Sequence, residues 1–249
     1  MACLFAHSND TPIRDALREF HMFTPAHGVM IGALVLGAAI LLRIGFKLCG
    51  TPAQRSFERI VGWIGIVLWI IANAYGYLPG VLDWRYALPI GVCDTVALVG
   101  PIVLVLASPP TWLRAWLYFV GLGLCTQAFI TPTLQEGPAD ARFWLFWGVH
   151  FMILFCPLHE LIVRRWRPTW RAWRLAVTLS VAYLCVVLPI NLLGGWNYAF
   201  IGREMRAGTL IEVLGPWPGR VAIILALVIV MYTCMMLPWV SFNRAPRRV

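Results

Sequence analysis

Apolar residues run in long blocks along this chain, and seven of the blocks are long enough to cross a bilayer as helices. They cover about 26–47, 58–78, 87–107, 113–130, 143–164, 173–194 and 219–241. A hydrocarbon core of ~30 Å takes about 20 helical residues, and a helix satisfies its own backbone hydrogen bonds there. The strands of a barrel would alternate in polarity at every second residue, which these blocks do not. The expected fold class is therefore an all-α membrane protein, a seven-transmembrane-helix bundle forming a single domain over residues 1–249. Ahead of the first block, Ser8-Asn-Asp-Thr-Pro12 reads as a helix start, with Ile13, Leu17 and Phe20 recurring on one face. A short interfacial helix over about 11–21 is expected. In the longest connection, 195–218, Thr209-Leu-Ile-Glu212 has the form of a capping box, and the loop is expected to fold back along the membrane surface.

Composition agrees with the pattern: 60% of the side chains are hydrophobic and 12% charged, so a soluble domain is excluded. The net charge of +9 does not imply nucleic acid, because the arginines flank apolar spans instead of lining a soluble face. Lys and Arg number seven on the side of the N-terminal tail and thirteen on the other, which predicts an N-terminus outside and a C-terminus in the cytoplasm. The densest basic cluster, Arg164 to Arg174 with Trp166, Trp170 and Trp173 between, reads as an orientation anchor at the cytoplasmic surface. Nineteen arginines against the single Lys47 suggest a GC-rich bacterial genome, hence a multi-pass protein of the cell inner (plasma) membrane with membrane lipids as its partners. Residues 1–25 lack the pattern of a cleavable signal peptide. The cysteines show no CxxC or metal-ligand spacing, so neither a metal nor a cofactor is expected.

Polar groups inside a bilayer are costly and usually face the bundle interior, so their depths carry information. At ~1.5 Å per residue, Cys93 and Asp94 in the third block and His150 in the fifth lie equally deep, about 9–10 Å below the outer surface. Gln127 and Thr131 of the fourth block, Asn73 of the second, Asn191 of the sixth and His27 of the first reach the same layer. The other half is nearly bare apart from His159 and Glu160. This asymmetry predicts a polar cavity open toward the outer leaflet. A cysteine and a histidine at one depth allow nucleophilic chemistry, the imidazole removing the thiol proton, with Asp94 or an asparagine orienting the ring. The plainer reading of the same residues is packing and interhelical hydrogen bonding, with Asp94 paired to a rim arginine such as Arg85 or Arg142. Pro89, Pro157 and Pro189 interrupt their helices and would widen the outer end.

Several segments carry a resemblance: Leu88-Pro-Ile-Gly-Val-Cys-Asp94, Gln127-Ala-Phe-Ile-Thr-Pro132, Trp147-Gly-Val-His150, Asn191-Leu-Leu-Gly-Gly-Trp-Asn-Tyr198 and Leu214-Gly-Pro-Trp-Pro218. The chain resembles the YwaF-type bacterial membrane proteins, related to eukaryotic transmembrane protein 164, from Phe23-Thr-Pro-Ala-His27 to the last span. The resemblance implies seven helices and phospholipid acyltransferase chemistry, with Cys93 at the position of the proposed nucleophile and His150 matching the family histidine. Bacterial relatives carry a histidine where this chain has Gly91, so any role of that histidine is missing here.

Two readings follow. In the first, Cys93 attacks an acyl carbonyl of a lipid, His150 is the base, and His27, Asn73, Asp94, Gln127, Thr131, Asn191, Asn197 and Tyr198 line the substrate cavity, Asn191 or Gln127 stabilising the oxyanion. In the second, the chain is a non-enzymatic lipid-binding protein or an accessory subunit of a larger membrane protein complex, its thirteen tryptophans serving as packing surface.

Overall fold

The computed structural model describes residues 17–204 and 213–242. Among them, seven segments are long and apolar enough to span a membrane: Pro25–Lys47, Pro52–Gly76, Trp84–Val105, Thr111–Ile130, Ala141–Ile162, Trp170–Gly194 and Gly219–Val240. Local chemistry sets their starts. Thr24 caps the first helix by accepting the His27 N–H, and each of the first two helices has a proline in its first turn, where its missing N–H costs nothing. Asp83, Asp140 and Thr169 cap later ones by accepting the N–H of Arg85, Arg142 and Ala172. At the end of the sixth span, Gly195 takes the left-handed conformation (φ 66°), which glycine adopts without strain.

Numbered along the chain, the helices are α1 (Pro25–Lys47), α2 (Pro52–Gly76), α3 (Trp84–Ala87), α4 (Val92–Val105), α5 (Thr111–Ala115), α6 (Gln127–Ile130), α7 (Ala141–Ile162), α8 (Trp170–Gly194) and α9 (Gly219–Phe242). The third span is thus broken at Leu88–Gly91, around Pro89, into α3 and α4. Between α5 and α6 the fourth span is a π-helix, Trp116–Cys125, in which each i→i+5 turn carries one residue more than an α-turn. The short helix expected over 11–21 does not extend to its end: Glu19 pairs in antiparallel fashion with Glu136, and Phe20 N–H donates to the Gln135 carbonyl at 2.7 Å. Residues 1–16 and the Thr209–Glu212 box lie outside the described residues.

α4 is the centre of the bundle, packed against α2, α7 and the π-helix, while α1 lies on α7 and α9 on the π-helix and α8. Val96, Val103, Leu104, Phe119, Ile153, Phe155 and Cys156 are shut off from the surroundings entirely. The outer helices keep Val29, Leu36, Ile64, Ile70, Val186 and Leu237 exposed, as a lipid-facing surface requires. Small residues set the closest approach: a Cβ on Gly62 of α2 would come within 2.8 Å of the Pro101 carbonyl oxygen of α4.

In the connection after α8, Tyr198 and Ile201 are buried against Val187, Leu88 and Ile90. The opposite end departs from the sequence expectation. Arg164, placed by sequence on a membrane-surface anchor, has a side chain only 7% exposed. It donates to Glu58 at 2.7 and 3.0 Å, to Glu160 at 2.8 Å and to the carbonyls of Val103, Leu104 and Leu106 at the end of α4. Arg114 donates to Glu160 at 2.8 Å, Gln54 to Glu58 at 2.9 Å, and Arg55 is paired with Glu58. Burial pushes the Arg164 guanidinium down, but the hydrogen bond to Glu58 and the charges of both carboxylates outweigh it and hold the group above its ordinary value. The end expected to be bare therefore contains a buried ion network.

Candidate functional site

The break in the third span builds the site. Leu88–Gly91 is an extended turn held from two sides: Tyr198 Oη accepts the Leu88 N–H at 2.9 Å and donates to the Trp84 carbonyl at 2.8 Å, and Tyr183 Oη donates to the Ile90 carbonyl at 2.6 Å. Asn191 in turn fixes Tyr198, accepting its N–H and donating to its carbonyl, both at 2.9 Å. Burial raises the Tyr198 phenol above its ordinary value, so it stays protonated as a donor. Ahead of the break, Asp83 caps α3 and pairs with Arg85 at 2.8 Å, which holds its carboxyl below the usual range.

Helix α4 then starts at Gly91, which puts Cys93 in its first turn. The Cys93 sulfur interacts with the His150 imidazole of α7 and with the thiol of Cys125, the last residue of the π-helix. Three elements distant in sequence thus meet at one sulfur. His150 is 5% exposed, is stacked on Phe146 with ring centroids 4.0 Å apart, and has Phe129 edge-on. Its Nδ1 lies 2.7 Å from the Phe146 carbonyl, which can only accept, so Nδ1 carries the proton and Nε2 keeps the basic lone pair. The ring is oriented by this backbone carbonyl, not by Asp94 or an asparagine.

Asp94 lies beside the sulfur but is not paired with either rim arginine: Arg85 is taken by Asp83, and Arg142 by Glu136 at 2.8 Å. Its carboxylate turns back to the Gly91 N–H, the reciprocal half of a capping box. It also lines a small open pocket of about 120 Å³ with Trp69, Asn73, Tyr86, Ala97 and Val149. Asn73 donates to the Trp69 carbonyl at 2.8 Å, and the Trp69 indole to the Asp94 carbonyl at 2.9 Å.

The remaining sequence candidates are used elsewhere. His27 is buried and bridges Phe23 N–H at 3.0 Å and the Phe129 carbonyl at 2.9 Å, tying α1 to the segment that covers His150. The Asn191 amide is committed to Tyr198, and Asn197 to Gly202 N–H at 2.8 Å and the Glu204 carbonyl at 2.7 Å. Gln127 is exposed, and Thr131 closes on the Gln127 carbonyl of its own turn at 3.4 Å. Neither Asn191 nor Gln127 is therefore placed as an oxyanion donor. The N–H groups of Val92, Cys93 and Asp94 are left without helical carbonyl partners in the first turn of α4. Cys125, Tyr183 and the Phe146 carbonyl escaped sequence reasoning. Of these only Cys125 carried a signal, two residues from Gln127 at the same depth.

A polytopic seven-helix membrane protein with a thiol, an imidazole and a second thiol gathered at one end of its bundle is the class these features define. The chain belongs to the TMEM164 family, whose model matches residues 22–237, nearly its whole length. Comparison with curated proteins and with solved structures gives no match.

Proposed function

We propose that this chain is a thiol-dependent enzyme acting on the acyl esters of membrane phospholipids, as an acyltransferase or hydrolase. The observation that carries the reading is the placement of Cys93 and His150 on the packed helices α4 and α7, with the Nδ1 of the imidazole already committed to a carbonyl. His150 Nε2 takes the thiol proton, and the thiolate attacks the ester carbonyl carbon. The negative charge that develops on the carbonyl oxygen is met by the free N–H groups at the start of α4. Collapse forms the acyl-thioester, and the leaving lipid oxygen takes the proton back from His150. A hydroxyl of a lysolipid, or water, then attacks the thioester with His150 again as base. Lateral access from lipid would run by the small pocket that Asp94, the neighbour of Cys93, lines with Asn73 between α2, α3, α4 and α7. The arginine asymmetry supports an N-terminus outside and a cytoplasmic C-terminus in a bacterial inner membrane, which sets this site toward the outer leaflet.

Purified protein incubated with phospholipid is expected to carry a hydroxylamine-sensitive acyl group on the Cys93 peptide by mass spectrometry. That group disappears in Cys93→Ala and falls at least about a hundredfold in His150→Ala, the size of a general-base contribution. Acyl label persisting at the same level in Cys93→Ala would end the proposal.

A further inference from the structure

A guanidinium carries a permanent charge and a fork of N–H donors, so inside a protein it is normally met by a carboxylate or by a full set of acceptors. Arg220, the second residue of α9, is 1% exposed and lacks both. Its Nη2 donates to the carbonyls of Gly202 and Glu204, the latter at 2.7 Å, while Nε and Nη1 are buried without a partner. Glu204 gives it a backbone oxygen, not its carboxylate. We propose that Arg220 anchors an anion site for a phosphate group, supplied in the membrane by a phospholipid headgroup.

The neighbours of Arg220 are donors as well. Trp217, three residues earlier, has its indole Nε1 buried without an acceptor. Arg203 lies between the two residues whose carbonyls hold Arg220; it is exposed and lays its guanidinium over the Trp217 ring, 5.2 Å from the centroid. This corner therefore offers two cations and an indole N–H, and what it is short of is an acceptor that carries negative charge. The start of α9 adds the positive end of its dipole, although the Arg220 and Val221 N–H groups are themselves taken by the Pro216 and Pro218 carbonyls. Position then selects the anion. Arg220 stands at the beginning of the seventh span, where a bilayer places its phosphates and where basic pockets between helices hold lipid headgroups.

The corner also borders the broken third span. Val221 and Ile224 of α9 pack into the cluster that holds Leu88 and Ile90. A phosphate at Arg220 leaves the ester bonds of its lipid on the hydrocarbon side, the direction in which α4 carries Cys93. In the thiol-enzyme reading the bound lipid is the substrate, but the anion site does not require that reading.

The test is binding by the full-length chain in dodecyl maltoside, an uncharged detergent without phosphate. Melting temperature is followed with dihexanoyl phosphatidylglycerol, with dihexanoylglycerol and with inorganic phosphate, each against chloride of equal ionic strength. The phospholipid is expected to raise it by about 5 °C and the phosphate-free diacylglycerol by less than about 1 °C. Arg220→Lys keeps a charge and donors for the Gly202 and Glu204 carbonyls but gives up Nε and Nη1, and should lose at least about two-thirds of the shift. Arg203→Gln alters an exposed side chain and should weaken the apparent affinity about threefold. A shift reproduced in full by inorganic phosphate keeps the site and assigns it to the free ion. The proposal is overturned by the absence of any shift, or by an equal one from dihexanoylglycerol. It is overturned too by an undiminished shift in Arg220→Lys, or in Arg203→Gln should the lysine variant not survive extraction. No arm uses Cys93, so failure to form an acyl-thioester ends the enzyme reading and leaves the anion site standing.

Discussion

Gly91 has φ −60° and ψ 151°, a conformation open to any residue, so the backbone does not call for glycine there. The demand comes from a neighbour. A Cβ at this position would come within 2.6 Å of Asp94 Oδ2, the oxygen that turns back to cap the first turn of α4. Where the resemblance expects a histidine, this chain has a glycine that leaves room for the Asp94 carboxylate beside Cys93. Gly91→Ala is expected to displace the carboxylate and cost about 1 kcal/mol, the usual value of an N-terminal cap, read as a lower melting temperature in detergent. Most of that cost should vanish in an Asp94→Ala background, which removes the atom the new methyl group meets, because the two changes act on one interaction. An undiminished penalty in that background would assign the glycine to something other than the carboxylate. At this scale the sequence was partly legible. Counting depth along regular helices brings Cys93 and His150 to one layer, and the fold packs their helices, α4 and α7, against each other. The same count fails for Gln127, because the π-helix ahead of it adds a residue to each turn and changes which side chains face inward.

At the scale of elements, the site depends on an interruption that no helix in the bundle could stabilise alone. Pro89 stops α3, and the four residues that follow leave backbone groups needing partners inside a membrane protein. Tyr198 and Tyr183 provide them from segments about a hundred residues away in sequence, and Asn191 holds Tyr198 by two bonds. Asn191 and Tyr198 were both legible as polar residues at the right depth. Their service to the backbone, as opposed to a substrate, was not legible, because hydrogen-bond partners so distant in sequence leave no local pattern. Tyr198→Phe keeps the ring and removes both of its hydroxyl bonds, so the Leu88 amide loses its acceptor. Hydrogen exchange at Leu88 should accelerate at least about tenfold, consistent with a cost of 1–3 kcal/mol for an unsatisfied half-buried group. Unchanged exchange at Leu88 would mean that the turn is held by packing alone.

For the whole molecule, the two ends divide the labour. One end gathers reactive groups around an interrupted helix, and the other ties α2, α4, α7 and the start of the fourth span together through charge. Seven membrane spans could be read directly from apolar length, since lipid leaves a helix few alternatives. The ion network could not. Arginines flanking apolar blocks look the same whether they anchor in headgroups or turn inward, and Glu58 lies 106 residues from the Arg164 that neutralises it. The signal was the presence of Glu58 and Glu160 within helical spans, where a carboxylate without a partner would be prohibitive. Arg164→Met leaves both carboxylates short of charge and the carbonyls of Val103, Leu104 and Leu106 without their donor, and should cost about 3–5 kcal/mol, the range for breaking a buried pair. The chain is then expected to aggregate on extraction or to melt far earlier in detergent. Arg164→Met combined with Glu58→Gln and Glu160→Gln removes the stranded charges together. Arg55 and Arg114, whose side chains are 36% and 24% exposed, can then turn toward headgroups. The triple variant should therefore be more stable than the single one, an ordering that simple loss of contacts would reverse. If each added substitution lowers the melting temperature further, the cluster is stabilising as an ion network in its own right, and mutual neutralisation is not what keeps these charges inside.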